Sequence, residues 1–131
     1  MIRAPWFATL LLFAAPASAQ PVDWSRAETV TITLSSFAYA PETIRLQRGR
    51  PYRLRFVNAA DGGHNFVARE FFEAATIAPE DRSRVDEGMV ELGGGRSADV
   101  RVMIARPGDY NVHCSHFLHT TFGMSGAIVV E

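Results

Sequence analysis

Short segments in which apolar and polar residues alternate are the feature that most constrains the fold of this chain. The clearest is residues 52–57, where Tyr52, Leu54 and Phe56 fall on one side of an extended strand and Arg53 and Arg55 on the other. Further strands are predicted at residues 29–34, 43–46, 64–68, 88–92, 98–105, 110–114 and 127–131. Gly-, Pro-, Asn- and Asp-rich turns separate them. Seven or eight short strands of this kind predict an all-β sandwich.

Two segments do not show this alternation. Residues 35–41 are predicted to form an irregular connection between the first two strands. Residues 70–75 are predicted to form one or two helical turns.

The N-terminus has the features of an export signal. Arg3 precedes an apolar run over residues 6–15, and the small residues 17–19 form a cleavage site of the A-x-A type. The apolar run has about 10 residues, whereas a membrane span needs about 20. We therefore predict a signal peptide at 1–19, a single domain at 20–131, a periplasmic location and no membrane span.

The charge of the chain is nearly balanced. Thirteen basic and fourteen acidic residues give a formal net charge of −1. A generic nucleic-acid-binding domain would show a basic excess, so no nucleic-acid partner is expected. A local run of arginines has two interpretations, a solvated sheet face or a docking surface for an acidic redox partner; it comprises Arg45, Arg48, Arg50, Arg53 and Arg55.

The residues that carry chemistry lie near the C-terminus. Cys114 is the only cysteine, which excludes an internal disulfide and an iron–sulfur cluster. His119 follows it by five residues, Met124 follows by five more, and His64 precedes Cys114 by fifty. A thiolate, two imidazoles and a thioether are the donors of a blue copper site, in which two His and one Cys bind copper equatorially and a Met binds weakly along the axis.

The sequence resembles the cupredoxins, the small blue copper proteins, over nearly all of residues 20–131. The resemblance is carried by the C-x4-H-x4-M motif, by Gly-His-Asn at 63–65, by Phe-x-Tyr-x-Pro at 37–41 and by Pro-Gly-x-Tyr at 107–110. The ligand spacing is similar to that of the rusticyanins and of the type 1 site of multicopper oxidases. The chain is too short to be a multicopper oxidase, and it lacks the paired His-x-His motifs of a trinuclear centre.

This resemblance implies a Greek-key β-sandwich that holds one type 1 copper per chain. The equatorial ligands it implies are His64, Cys114 and His119, and the axial ligand is Met124. It also implies that the side chain of Asn65 ties the two ligand-bearing segments together through Ser115.

The neighbouring residues have alternative interpretations. Because side chains alternate along a strand, His113 is predicted to point away from Cys114 and to be either a surface residue or one that supports the ligands from outside the site. His116 lies inside the ligand loop, where it either replaces His119 as a ligand or is an exposed proton-responsive group. Phe117 and Leu118 either cover the copper as an apolar patch for partner docking or pack into the core.

The sequence therefore predicts an electron carrier rather than an enzyme. Its partners would be redox proteins (a cytochrome, an oxidase or a reductase), and it would act as a monomer. The alternative is a protein that buffers copper, confers copper resistance or delivers copper, although the chain lacks the Met-rich tracts typical of that class. An enzyme with an open copper position is disfavoured, because Met124 stands where a coordinating carboxylate would be needed.

Overall fold

The computed structural model describes residues 12, 21–116, 118–119 and 121–131. The predicted signal peptide, apart from residue 12, and Phe117 lie outside this part of the chain. Cleavage after residue 19 and the interpretation of Phe117 therefore stay predictions.

Ten strands and one short α-helix make up the described part of the fold. The strands are β1 (Glu28–Ser35), β2 (Ala38–Ala40), β3 (Thr43–Leu46), β4 (Pro51–Asn58), β5 (His64–Val67), β6 (Thr76–Ile77), β7 (Met89–Leu92), β8 (Ser97–Met103), β9 (Gly108–His113) and β10 (Ser125–Val130). The helix α1 (Arg69–Ala74) follows β5, and 3-10 turns occur at Trp24–Arg26 and Pro79–Arg84.

The strands form two five-stranded sheets, with the orders β2-β1-β4-β8-β6 and β3-β10-β9-β5-β7. The pairs β1–β4 and β3–β10 are parallel, and the other pairs in both sheets are antiparallel. The predicted all-β sandwich is confirmed. Two of the ten strands, β2 and β6, were not predicted.

The prediction of an irregular connection at 35–41 is wrong in part. Residues 38–40 pair antiparallel with the last residues of β1, and Tyr39 is 4% exposed. An alternating pattern cannot be recognised over three residues, and β6 is shorter still. Both strands depend on a neighbour that the local sequence does not reveal.

The core lies between the two sheets and centres on Phe66. Its ring centroid lies 4.8 Å from that of Phe56, 5.5 Å from that of Tyr39 and 6.4 Å from that of Phe72. Truncating a buried aromatic side chain of this kind costs about 3–5 kcal/mol. The apolar side predicted for residues 52–57 is buried, and the predicted helical turns are present as α1, which buries Phe71 and Phe72. Both predictions are confirmed.

Two residues of the arginine run lie on the exposed face of the first sheet. Arg55 stands opposite Asp99 in the β4–β8 ladder, and its Nε lies 3.0 Å from Asp99 Oδ1. Arg53 approaches the same carboxylate at 4.0 Å. These contacts favour the solvated sheet face over the docking surface for this part of the run. Exposed ion pairs of this type contribute about 0–1 kcal/mol.

Candidate metal centre

Three of the predicted ligands converge at one end of the sandwich. His64 is the first residue of β5, Cys114 directly follows β9, and His119 lies in the loop beyond it. One ligand atom from each of the three lies within 4.8 Å of the others. His64 Nδ1 is 3.0 Å from His119 Nδ1 and 3.9 Å from Cys114 Sγ, and His119 Nδ1 is 3.4 Å from Cys114 Sγ.

The sheet explains why these residues meet. Strands β5 and β9 are antiparallel neighbours, and Val67 stands opposite His113. Residues before Val67 therefore lie beside residues after His113. His64 is three residues before Val67, so it lies beside the loop that follows Cys114.

Met124 lies at the base of the same loop. Its backbone carbonyl accepts a 3.1 Å hydrogen bond from the N–H of Cys114, and its own N–H donates to the carbonyl of His119 at 3.0 Å. The side chain of Met124 is fully buried. The loop is thus closed on itself by backbone hydrogen bonds, and these keep all three C-terminal candidates together.

The donor set fits copper. Cys114 and His64 are buried and His119 is half-buried, and the cluster contains no carboxylate. Thiolate sulfur and imidazole nitrogen are the donors that soft copper sites use. Burial, followed by the charges of His119 and His116, lowers the pKa of His64 below its ordinary value. A neutral imidazole is the form that binds a metal.

Two side chains, one from the turn between β1 and β2 and one from β2, contact the segment that carries His64. The hydroxyl of Ser36 lies 3.2 Å from His64 Nε2, the ring nitrogen on the far side from Cys114. The phenol of Tyr39 donates a 2.6 Å hydrogen bond to the backbone carbonyl of Asn65. Burial, with a contribution from Cys114, raises the pKa of Tyr39, so its phenol remains a donor. Neither contact was predicted.

The predicted tie between Asn65 and Ser115 is confirmed. Asn65 Oδ1 accepts from the backbone N–H of Ser115 at 2.8 Å, and Asn65 Nδ2 donates to Ser115 Oγ at 2.7 Å. The residue after His64 is thereby joined to the residue after Cys114.

Asn58 shapes the loop that precedes His64. Its buried side chain donates from Nδ2 to the carbonyls of Gly62, Leu92 and Gly93 at 2.9, 3.1 and 3.1 Å. Its Oδ1 accepts from the N–H of Ala60 at 3.1 Å. These bonds connect the loop at 59–63 to the turn after β7, and so fix the point where β5 begins.

Among the described residues, three exposed apolar side chains lie near His119. They are Phe37, Leu118 and Phe122, which are 38%, 45% and 60% exposed and are called the apolar rim below. The ring centroid of Phe37 lies 5.0 Å from that of His119, in an edge-to-face arrangement, and 5.1 Å from that of Phe122. The predicted apolar patch included Leu118 but neither phenylalanine. Phe37 was missed because it is distant from the patch in sequence, and Phe122 because polar residues separate it from Leu118.

The remaining two histidines lie outside the three-residue cluster. His113 is half-buried at the end of β9. His116 Nε2 lies 2.6 Å from Glu91 Oε1, and the imidazole ring stacks on that of His119. The structure therefore places His119, and not His116, with His64 and Cys114.

Comparisons with known proteins give the class of protein that the sequence resemblance predicted. Residues 27–131 match the family described as copper binding proteins, plastocyanin/azurin family. No curated protein sequence matches significantly. The chain belongs to this plastocyanin/azurin family of copper-binding proteins, the blue copper cupredoxins, and its cofactor is copper.

Solved structures share the fold at low sequence identity. Dithionite-reduced auracyanin from the photosynthetic bacterium Roseiflexus castenholzii matches with a TM-score of 0.59 and 20% identity, over 80% of this chain and 98% of that chain. Auracyanin B matches with a TM-score of 0.59 and 22% identity, over 84% and 93%. The McoA multicopper oxidase from the hyperthermophile Aquifex aeolicus matches with a TM-score of 0.66 and 16% identity, over 88% of this chain but 32% of the oxidase. Among the described residues, no helix has the length and hydropathy needed to cross a membrane.

Proposed function

We propose that the protein is a periplasmic type 1 blue copper protein that shuttles single electrons between redox partners. The ligands in this proposal are His64, Cys114 and His119, with Met124 as the weak axial ligand. The observation that carries the proposal is the cluster of one buried thiol, one buried imidazole and one half-buried imidazole, whose ligand atoms lie within 4.8 Å of one another. Membership in a family that generally transfers electrons supports it.

The chemistry of the donors suits a one-electron carrier. Copper bound there supplies a Cu(I)/Cu(II) couple. Thiolate and thioether are soft donors that bind Cu(I) well, and imidazoles suit both oxidation states. The backbone bonds that close the loop between Cys114 and Met124 hold the donors in place, so that little rearrangement accompanies a change of charge.

The apolar rim is the docking surface in this proposal. His119 reaches from the cluster to the rim, where Phe37 contacts its ring. A redox protein that covers the rim would come within a short distance of a ligand, which favours transfer through the His119 ring. Small, transient interfaces are typical of redox encounters. The partners proposed are a cytochrome, an oxidase or a reductase.

Export is a separate part of the proposal. It is supported by the apolar run at 6–15 and the A-x-A site at 17–19. A periplasmic location would also explain a cluster in which the only thiol is buried beside two imidazoles, because a metal-bound thiolate is shielded from oxidation.

Voltammetry of the copper-loaded protein tests the proposal. We expect a reversible one-electron wave and retention of copper through repeated cycles. Leu118→Lys should slow electron self-exchange between two copies of the protein by about tenfold or more, because the two rims that meet would then both carry a positive charge. Thr29→Lys, which adds the same charge at the distant end of β1, is the control and should leave the rate unchanged. An irreversible wave with loss of copper on reduction would contradict electron transfer and support copper delivery.

A further inference from the structure

Glu91 lies beside the metal centre without belonging to the ligand cluster. It is in β7, directly opposite Asn65 in the β5–β7 ladder, so the two side chains share one face of the sheet. Glu91 Oε2 accepts a 3.0 Å hydrogen bond from Asn65 Nδ2, and Oε1 lies 2.6 Å from His116 Nε2. One carboxylate therefore contacts the residue after His64 and a residue of the ligand loop.

His116 in turn contacts His119. The two rings are stacked, with centroids 5.4 Å apart and an interplanar angle of 24°. The ring of His116 also lies close to Gly63, where a Cβ would come within 3.0 Å of His116 Cε1. Glu91 thus contacts a ring that is packed close both to the residue before His64 and to the ring of His119.

Glu91 also sets the orientation of the Asn65 amide. An ionised carboxylate only accepts hydrogen bonds, so it must face the NH2 end of the amide. The oxygen end is then directed to the backbone N–H of Ser115, which it accepts at 2.8 Å. Glu91 therefore stabilises the amide orientation in which the tie between the two ligand-bearing segments forms.

We propose that Glu91 is a positioning residue of the copper site and that its negative charge lowers the reduction potential of the bound copper. It acts through Asn65 on the segments that carry His64 and Cys114, and through His116 on His119. A nearby anion stabilises the more highly charged Cu(II) ion relative to Cu(I). The inference rests on the proposed ligand set.

Amide hydrogen exchange of the metal-free protein tests the positioning role without copper. The probes are the N–H of Ser115, bonded to Asn65 Oδ1, and the N–H of His119, bonded to the carbonyl of His116. Glu91→Ala should speed their exchange about tenfold, the effect of losing a hydrogen bond to a charged group. Glu91→Gln retains one acceptor and should fall between Glu91→Ala and the wild type. Unchanged exchange in Glu91→Ala would overturn the positioning role.

The reduction potential of the copper-loaded protein tests the effect of charge. Both Glu91→Gln and Glu91→Ala should raise it, whereas the EPR hyperfine splitting should change mainly in Glu91→Ala. Glu28→Gln, which removes a carboxylate at the far end of β1, should leave both quantities unchanged. A potential in Glu91→Gln equal to that of the wild type would overturn the electrostatic role.

A second substitution, His116→Phe, separates the effect of Glu91 that passes through His116 from the effect that passes through Asn65. Phenylalanine keeps a ring against His119 but lacks the nitrogen that meets Glu91. If Glu91 acts on His119 through His116, adding Glu91→Ala to His116→Phe should speed His119 exchange less than it does in the wild type. Full additivity would contradict that route. If the wild type bound no type 1 copper, the proposed ligand set would fail, while the exchange data would still decide the positioning role.

Discussion

The hydroxyl of Ser36 lies 3.2 Å from Nε2 of His64, and the other ring nitrogen of His64 faces His119 at 3.0 Å. A contact on the far nitrogen fixes both the rotation of the ring and the nitrogen that is directed into the cluster. Ser36 lies in the turn between β1 and β2 of the first sheet, and His64 begins β5 of the second, so this contact orients a candidate ligand from the opposite side of the sandwich.

Ser36→Ala should therefore weaken copper binding. Loss of a partner that orients a ligand typically costs about 10–100-fold in metal affinity. Competition with a calibrated Cu(I) chelator measures the change, and Ser83→Ala, an exposed position in the Pro79–Arg84 turn, is the control. Equal affinities for wild type and Ser36→Ala would show that the ring is held by other contacts.

Met124→Leu should retain the colour and raise the reduction potential. The thioether donates weakly to Cu(II), so its removal disfavours the oxidised state. Leucine fills a similar volume in this buried position, and the free energy of unfolding should fall by less than about 1.5 kcal/mol. Spectroelectrochemistry gives the potential, with Met103→Leu at the far end of β8 as the control. A lowered or unchanged potential would contradict an axial role for Met124.

Asp81 should make stability dependent on acid pH. Its carboxylate is buried and accepts from the backbone N–H and Nε of Arg101 at 2.9 and 2.8 Å, and from Arg84 at 2.8 Å. Burial alone would raise the pKa of Asp81, but the hydrogen bonds from Arg101 hold it below 3.8, its ordinary value. The stabilisation is therefore complete above about pH 4 and is lost as the pH falls through the lowered native pKa.

Urea unfolding of the metal-free protein at several pH values measures this effect. Asp81→Asn should lower the free energy of unfolding by about 1–3 kcal/mol at pH 7, and by less as the pH falls below 4. Glu80→Gln removes an exposed carboxylate that meets the same arginine at 3.3 Å, and should cost much less. A deficit in Asp81→Asn that is constant from pH 7 to the acid limit would refute the linkage.

The export prediction has a direct test. The protein recovered from the periplasm of an expression host should begin at Gln20, by N-terminal sequencing or intact mass. Replacement of Ala17 and Ala19 by bulky residues should block processing, because signal peptidase requires small residues there. An N-terminus at Met1 in the periplasmic fraction would contradict the assigned boundary.

The sequence predicted the long strands well because their pattern is local. Strand β4 alternates over its whole length, and its apolar side is the side that the structure buries. Strands β2 and β6 were missed because three and two residues carry no period, and their stability comes from pairing with β1 and β8.

The candidate site likewise contains residues that the sequence identifies and residues that only the folded chain brings together. His64, Cys114, His119 and Met124 were predicted as ligands because their residue types and spacing are rare, and the structure brings the first three together; the Asn65–Ser115 tie was predicted from the family resemblance. Ser36 and Glu91 were not found, because a serine in a turn and a glutamate in a strand are ordinary residues. Their importance arises from contacts between residues 28 and 25 positions apart, which only the folded chain reveals.

A Cu(II) titration of the metal-free protein, followed by visible absorption and EPR, tests the central claim most directly. The wild type should develop an intense thiolate-to-copper band that saturates at one equivalent, with narrow hyperfine splitting. Cys114→Ser should lack that band, because the thiolate is its source. A pale wild-type spectrum with ordinary tetragonal EPR, or a Cys114→Ser spectrum identical to that of the wild type, would contradict the proposed type 1 site.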